Sequence, residues 1–95
     1  MRLKASEKNA ILRQAARFAP GGESYLFGSR TNPASRGGDI DLLLLTDDKL
    51  PLRKLRAMRR AILGEIGEQK LDIVNFPRHA DHPFKDLALA GGVRL

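Results

Sequence analysis

The stretch FGSRTNPASRGGDIDLLLL, residues 27–45, sets two aspartates, Asp39 and Asp41, at the mouth of a run of four leucines. A buried strand ordinarily excludes paired carboxylates, because each loses its hydration on burial. Strand alternation places Asp39, Asp41, Leu43 and Leu45 on one face and Ile40, Leu42 and Leu44 on the other. The two carboxylates then lie roughly 6–7 Å apart along the strand. Like charges at that range disfavour joint ionisation, and a divalent cation beside them reverses the penalty. Carboxylate oxygens are the hard ligands that Mg²⁺ prefers, with substrate phosphates completing its shell.

Upstream, Ser24 to Phe27 is a short apolar strand, broken by Gly28-Ser29. Gly28 lets the backbone approach a ligand with no Cβ in the way. Ser29 offers a hydroxyl and an amide, Arg30 adds a positive charge, and successive backbone N–H groups bind phosphate. Thr31 to Gly38, rich in Asn, Pro, Ser and Gly, reads as a loop. Downstream, Pro51 suits the first turn of a helix over Leu52 to Gly67. On it Leu55, Met58, Ile62 and Ile66 share one face, and Arg53, Arg56 and Arg60 fall opposite. Lys70 to Phe76 is a third strand, stopped by Pro77, and it carries Asp72 among apolar neighbours. If that strand pairs beside Asp39–Leu45, three carboxylates converge on one sheet face. Three acids suffice to hold two metal ions about 3.5–4 Å apart, the arrangement that clamps the attacking and leaving oxygens of phosphoryl transfer.

The flanks complete an α-β-(loop)-β-α-β-α order, an α/β pattern. Ser6 to Ala19 forms the first helix, with Ser6 as its cap, Glu7 at its positive end, and Pro20-Gly21-Gly22 as its stop. Pro83 to Ala90 forms a short last helix, closed by Gly91-Gly92, and Val93-Arg94-Leu95 adds an edge strand. With 95 residues and no repeat or linker, one domain over 1–95 is expected. The absence of cysteine excludes a disulfide framework and a thiolate metal site. No apolar stretch approaches the ~20 residues of a membrane span, and the basic N-terminus lacks an apolar signal core. A cytoplasmic location and no membrane partner are therefore expected. Seventeen Lys+Arg against eleven Asp+Glu give a net charge of +6, which favours anionic partners. One tyrosine, four phenylalanines and no tryptophan argue against a base-stacking surface.

Gly28-Ser29, nine residues, then Asp39-Ile40-Asp41, then Asp72 on a later strand resembles the DNA polymerase beta nucleotidyltransferase superfamily. Within it the chain resembles the minimal nucleotidyltransferases, the MntA-like antitoxins of HEPN/MNT toxin–antitoxin pairs. The resemblance covers nearly the whole chain. Gly38 stands where minimal members often carry serine before the first aspartate. The resemblance implies an α/β (α+β) nucleotidyltransferase fold, a small mixed sheet flanked by helices. It also implies that Gly28 and Ser29 bind the triphosphate, with Arg30 beside them. Asp39 and Asp41 would hold two Mg²⁺ ions. Asp72 would hold the catalytic ion and help activate an acceptor hydroxyl. The implied reaction moves a nucleoside monophosphate, AMP from ATP or the equivalent from another NTP, to a hydroxyl. A tyrosine of a HEPN-type toxin is the implied acceptor, as in a type VII antitoxin. A chain of this length has little mass for an acceptor domain, so the acceptor is expected on another molecule.

Plainer readings stand beside these. The Asp39–Asp41 pair can be a polar strand start, Gly28-Ser29 a turn, and Asp72 an edge-strand acid paired with Lys70 or an arginine. Arg53, Arg56 and Arg60 read as the solvated face of an amphipathic helix. His79, Asp81 and His82 follow Pro77 in a loop without a further ligand at zinc spacing. Two other functions compete with the enzyme: an inactive antitoxin acting by contact, and a nucleic-acid-binding accessory using the basic helix.

Overall fold

A computed structural model describes residues 3–28 and 39–95. The order is α1 (Ala5–Phe18), β1 (Glu23–Phe27), β2 (Ile40–Thr46), α2 (Leu52–Ile66), β3 (Leu71–Pro77), α3 (Pro83–Gly91) and β4 (Val93–Arg94). The four strands form one mixed sheet in the order β3-β2-β1-β4. β2 runs parallel to β3 and antiparallel to β1, and β4 closes the far edge antiparallel to β1. The expected element types and the edge strand at the C-terminus all appear, as does the mixed sheet flanked by helices.

Alternation along β2 divides the core in two. Ile40, Leu42 and Leu44 point to α1 and α2, where they join Ile11, Ala15, Met58 and Ile62. Leu43 and Leu45 point to the opposite face, where α3 lays Ala88 over them with Tyr25, Phe27 and Phe76 around. The leucine run is thus buried on both sides because helices cover both faces. The fifteen residues of α2 turn their apolar stripe inward, and Arg53, Arg56 and Arg60 are exposed, as the solvated-face reading requires.

Three local expectations change. The cap of α1 is Lys4, not Ser6, which lies exposed inside the helix. Glu7 is the reason: its buried carboxylate accepts from the Lys4 backbone N–H at 3.0 Å and from Gln69 Nε2 at 2.8 Å. It satisfies an orphan donor of the helix start and fastens that start to the segment before β3. Pro77 is the last residue of β3 rather than its stop, a place an edge strand allows because no ladder N–H is required there. β2 begins at Ile40, so Asp39 sits just outside the ladder.

Two polar fixtures hold the end of β2 opposite the aspartates. Asn75, buried in β3, donates to the Leu44 carbonyl and to Thr46 Oγ1 at 3.0 Å each, and accepts from the Leu50 N–H at 2.8 Å. Arg78 bonds Glu23 Oε2 at 2.9 Å and also reaches Asp47 and the Gly21 carbonyl. Beside Arg78, the Glu23 carboxyl is held below the usual range. Arg59 donates from Nε to the Leu71 carbonyl at 2.8 Å, which fastens α2 to the start of β3.

Candidate active site

The parallel register sets Asp41 directly beside Asp72. The antiparallel register sets Phe27 on the other side of Asp41, so Gly28 follows immediately at the same end of the sheet. Asp72, Asp41 and Phe27 therefore form one row across three strands, on the face that α3 covers. Asp39 precedes that row on β2. The two strand carboxylates come together only because β3 enters parallel to β2 with this register; a slip of one residue would turn Asp72 to the opposite face.

Gly28 adopts φ of +76°, a region open to glycine and strained for other residues. A Cβ built on it would lie 2.5 Å from Asp41 Oδ2. Backbone and carboxylate thus meet where a side chain would intrude. Half-burial raises the Asp41 carboxyl above its ordinary range; the charge of Asp72 and then that of Asp39 push it further, against a smaller opposing pull from Lys70. Asp72 is exposed. Lys70 Nζ lies 3.6 Å from Asp39 Oδ2, with both side chains largely open to water. The edge-strand reading of Asp72 pairs it with Lys70 or an arginine; in the structure Lys70 approaches Asp39.

Among the described residues no three acidic, histidine or cysteine side chains close on one point as a ready-made metal cage. The donor chemistry nevertheless fits Mg²⁺, which takes one or two carboxylates and completes its shell with water and substrate phosphates rather than a full protein cage. Burial first, and the neighbouring carboxylates second, disfavour the charged form of Asp41, a cost that a cation would offset. Ser29 and Arg30, expected beside the phosphates, lie outside the described residues, as does the expected loop of Thr31 to Gly38. His82 is not arranged as a zinc ligand: its Nδ1 accepts from the Phe84 N–H at 3.1 Å and caps α3, while its ring leans on Phe76.

Two side chains beside the site escaped sequence reasoning. Phe27 and Phe84 meet edge to face at 5.8 Å, next to Gly28, and Phe76 lies 6.3 Å from Phe84. Few aromatics in the composition suggested no stacking surface, yet three of the four phenylalanines gather on the α3 face. Their positions, 27, 76 and 84, share no periodicity that a sequence pattern would reveal.

Residues 23–95 match the family described as Polymerase beta, Nucleotidyltransferase. Solved toxin–antitoxin structures share the fold. A chain of an MntA–HpeT mutant complex is 22% identical with a TM-score of 0.72, covering 93% of this chain and 69% of that one. A chain of the tri-AMPylated Shewanella oneidensis HEPN toxin in complex with its MNT antitoxin is 21% identical with a TM-score of 0.70, at 93% and 67% coverage. A chain of a toxin–antitoxin complex with AMP-PNP is 21% identical with a TM-score of 0.75, at 92% and 70% coverage. No curated protein matches. The chain belongs to the polymerase beta nucleotidyltransferase family.

Proposed function

We propose that this member of the polymerase beta nucleotidyltransferase family is a Mg²⁺-dependent antitoxin enzyme that transfers AMP from ATP to a hydroxyl, a tyrosine, on a HEPN-type toxin. The observation that carries the reading is the row of Asp41 and Asp72 across β2 and β3, with the Gly28 backbone against the Asp41 carboxylate. Asp39, Asp41 and Asp72 are the residues that would hold the metal. Bound Mg²⁺ supplies charge neutralisation for the triphosphate and for the departing pyrophosphate.

The chain's own residues divide the remaining work. Gly28, with Ser29 and Arg30 following, receives the phosphates, because no Cβ blocks approach to the backbone. Asp72, exposed on the edge strand, is open to an acceptor arriving from outside the sheet. The acceptor oxygen bonds the α-phosphorus, the bond from that phosphorus to the pyrophosphate oxygen breaks, and the acceptor proton passes to Asp72 and then to solvent. Burial, with the charges of Asp72 and Asp39, disfavours the charged Asp41 carboxylate, and a bound cation would offset that cost. The kinship in fold with complexes that contain an AMPylated HEPN toxin and AMP-PNP supports the choice of nucleotide and partner. No helix among the described residues is long and apolar enough to cross a membrane.

The test is incubation with ATP, Mg²⁺ and a HEPN partner, followed by intact-mass spectrometry of the partner. The expected result is a gain of one or more AMP units that disappears with Asp41→Asn. A partner inhibited without any gain in mass would refute transfer and favour an antitoxin acting by contact alone.

A further inference from the structure

An apolar groove of about 160 Å³ opens beside the acid row, between the end of β1 and α3. Phe27, Gly28, Phe84, Leu87, Ala88 and Gly91 line it. Phe84 is 40% exposed and Leu87 75% exposed, unusual for large apolar side chains. Phe84 is held nonetheless: its backbone N–H is fixed by His82, and its ring rests edge to face on Phe27. A fixed, half-open aromatic ring is a platform rather than a core residue.

Gly28 belongs to both this groove and the acid row, since its backbone abuts the Asp41 carboxylate. A ligand that reaches from one to the other carries an anionic end for the metal-binding acids and a flat apolar end for the groove. A nucleotide has that form. The volume is below the few hundred Å³ of a whole small-molecule site, so the groove accommodates one ring system while the rest of the ligand lies outside it. Among the described residues, none of the lining side chains carries a hydrogen-bonding group.

We propose that this groove is the nucleobase subsite, in which Phe84 stacks on the base of the bound NTP. The proposal rests on the nucleotide site described above. The described lining meets the π-face of the base, so purines bind more tightly than pyrimidines through stacking area.

The experiment is calorimetry with Mg²⁺ and ATP, GTP, CTP or inorganic tripolyphosphate, on the wild type, Phe84→Ala and Phe84→Leu. Leucine keeps apolar volume over Phe27 and removes the ring, so it separates stacking from folding. ATP and GTP are each expected to bind more tightly than CTP and tripolyphosphate. Both variants are expected to weaken ATP roughly 5- to 150-fold, the range set by loss of one base–aromatic stack, and to leave tripolyphosphate unchanged. Wild type binding ATP no more tightly than tripolyphosphate overturns the base subsite alone, as does Phe84→Leu with unaltered ATP affinity. If wild type binds neither ATP nor tripolyphosphate, the nucleotide site itself is refuted, and the subsite with it.

Discussion

Replacing Gly28 with alanine tests the geometry of the site through stability as well as binding. Two separate costs follow from the structure. The φ of +76° imposes about 1–2 kcal/mol on any residue with a Cβ. The new methyl would also lie 2.5 Å from Asp41 Oδ2, about 0.9 Å inside ordinary van der Waals contact. The obstacle is the far end of a side chain, so Asp41 turns aside rather than the backbone giving way. An off-rotamer carboxylate costs about 0.5–1.5 kcal/mol. The sum, about 1.5–3.5 kcal/mol, lowers the melting temperature on the order of 10 °C in a domain of this size. Asp41→Ala removes the obstacle but not the φ cost. A double-mutant cycle by urea denaturation should therefore give a coupling of about 0.5–1.5 kcal/mol between the two positions. Mg²⁺-dependent ATP binding, read by calorimetry, should be lost in Gly28→Ala because the displaced carboxylate no longer faces the phosphates. Strict additivity of the two substitutions would falsify the close approach, and unchanged ATP affinity in Gly28→Ala would refute the phosphate-loop role.

Asp41 titrates at a higher pH in the folded chain than in the unfolded one, so the folded state holds the extra proton between the two pKa values. In metal-free buffer, stability is present below the ordinary aspartate pKa of about 3.9 and declines as pH rises through the raised folded value. Asp41→Asn should remove that decline and leave the mutant the more stable protein at neutral pH without metal; urea midpoints that follow parallel courses for the two proteins as pH rises above the ordinary aspartate value would refute the raised Asp41 carboxyl. Asn75→Ala should destabilise by about 2–4 kcal/mol, since it strips three hydrogen-bond partners, two of them buried, at the end of β2 away from the site. Its chemical denaturation midpoint should fall while ATP affinity in the folded range holds, and a loss below about 1 kcal/mol would show that these groups find other partners.

The core of the reading was legible along the chain because its signals are local. Alternation in DIDLLLL assigns each side chain to a face whatever the strand's neighbours. The period of Leu55, Met58 and Ile62 assigns a helix face in the same way, and Gly28 before a polar loop marks a position where a Cβ is unwelcome. The local rules failed where a distant residue outbids a near one. Glu7 satisfies the Lys4 N–H and is itself held by Gln69 across the fold, so α1 begins before its best capping residue. Arg59 looks like one more solvated arginine until the Leu71 carbonyl comes within its reach.

By itself the sequence determined which side chains share a face, where the chain turns, and that two carboxylates are forced into proximity at residues 39–41. Covalent spacing and backbone geometry suffice for that. Only the tertiary structure decided that Asp72 stands beside Asp41, that Lys70 serves Asp39, and that Phe27, Phe76 and Phe84 gather next to Gly28. Those pairings depend on strand order, on the parallel register of β2 and β3, and on where α3 lands. Such choices arise from burying both faces of one sheet at once, a constraint that no single segment carries.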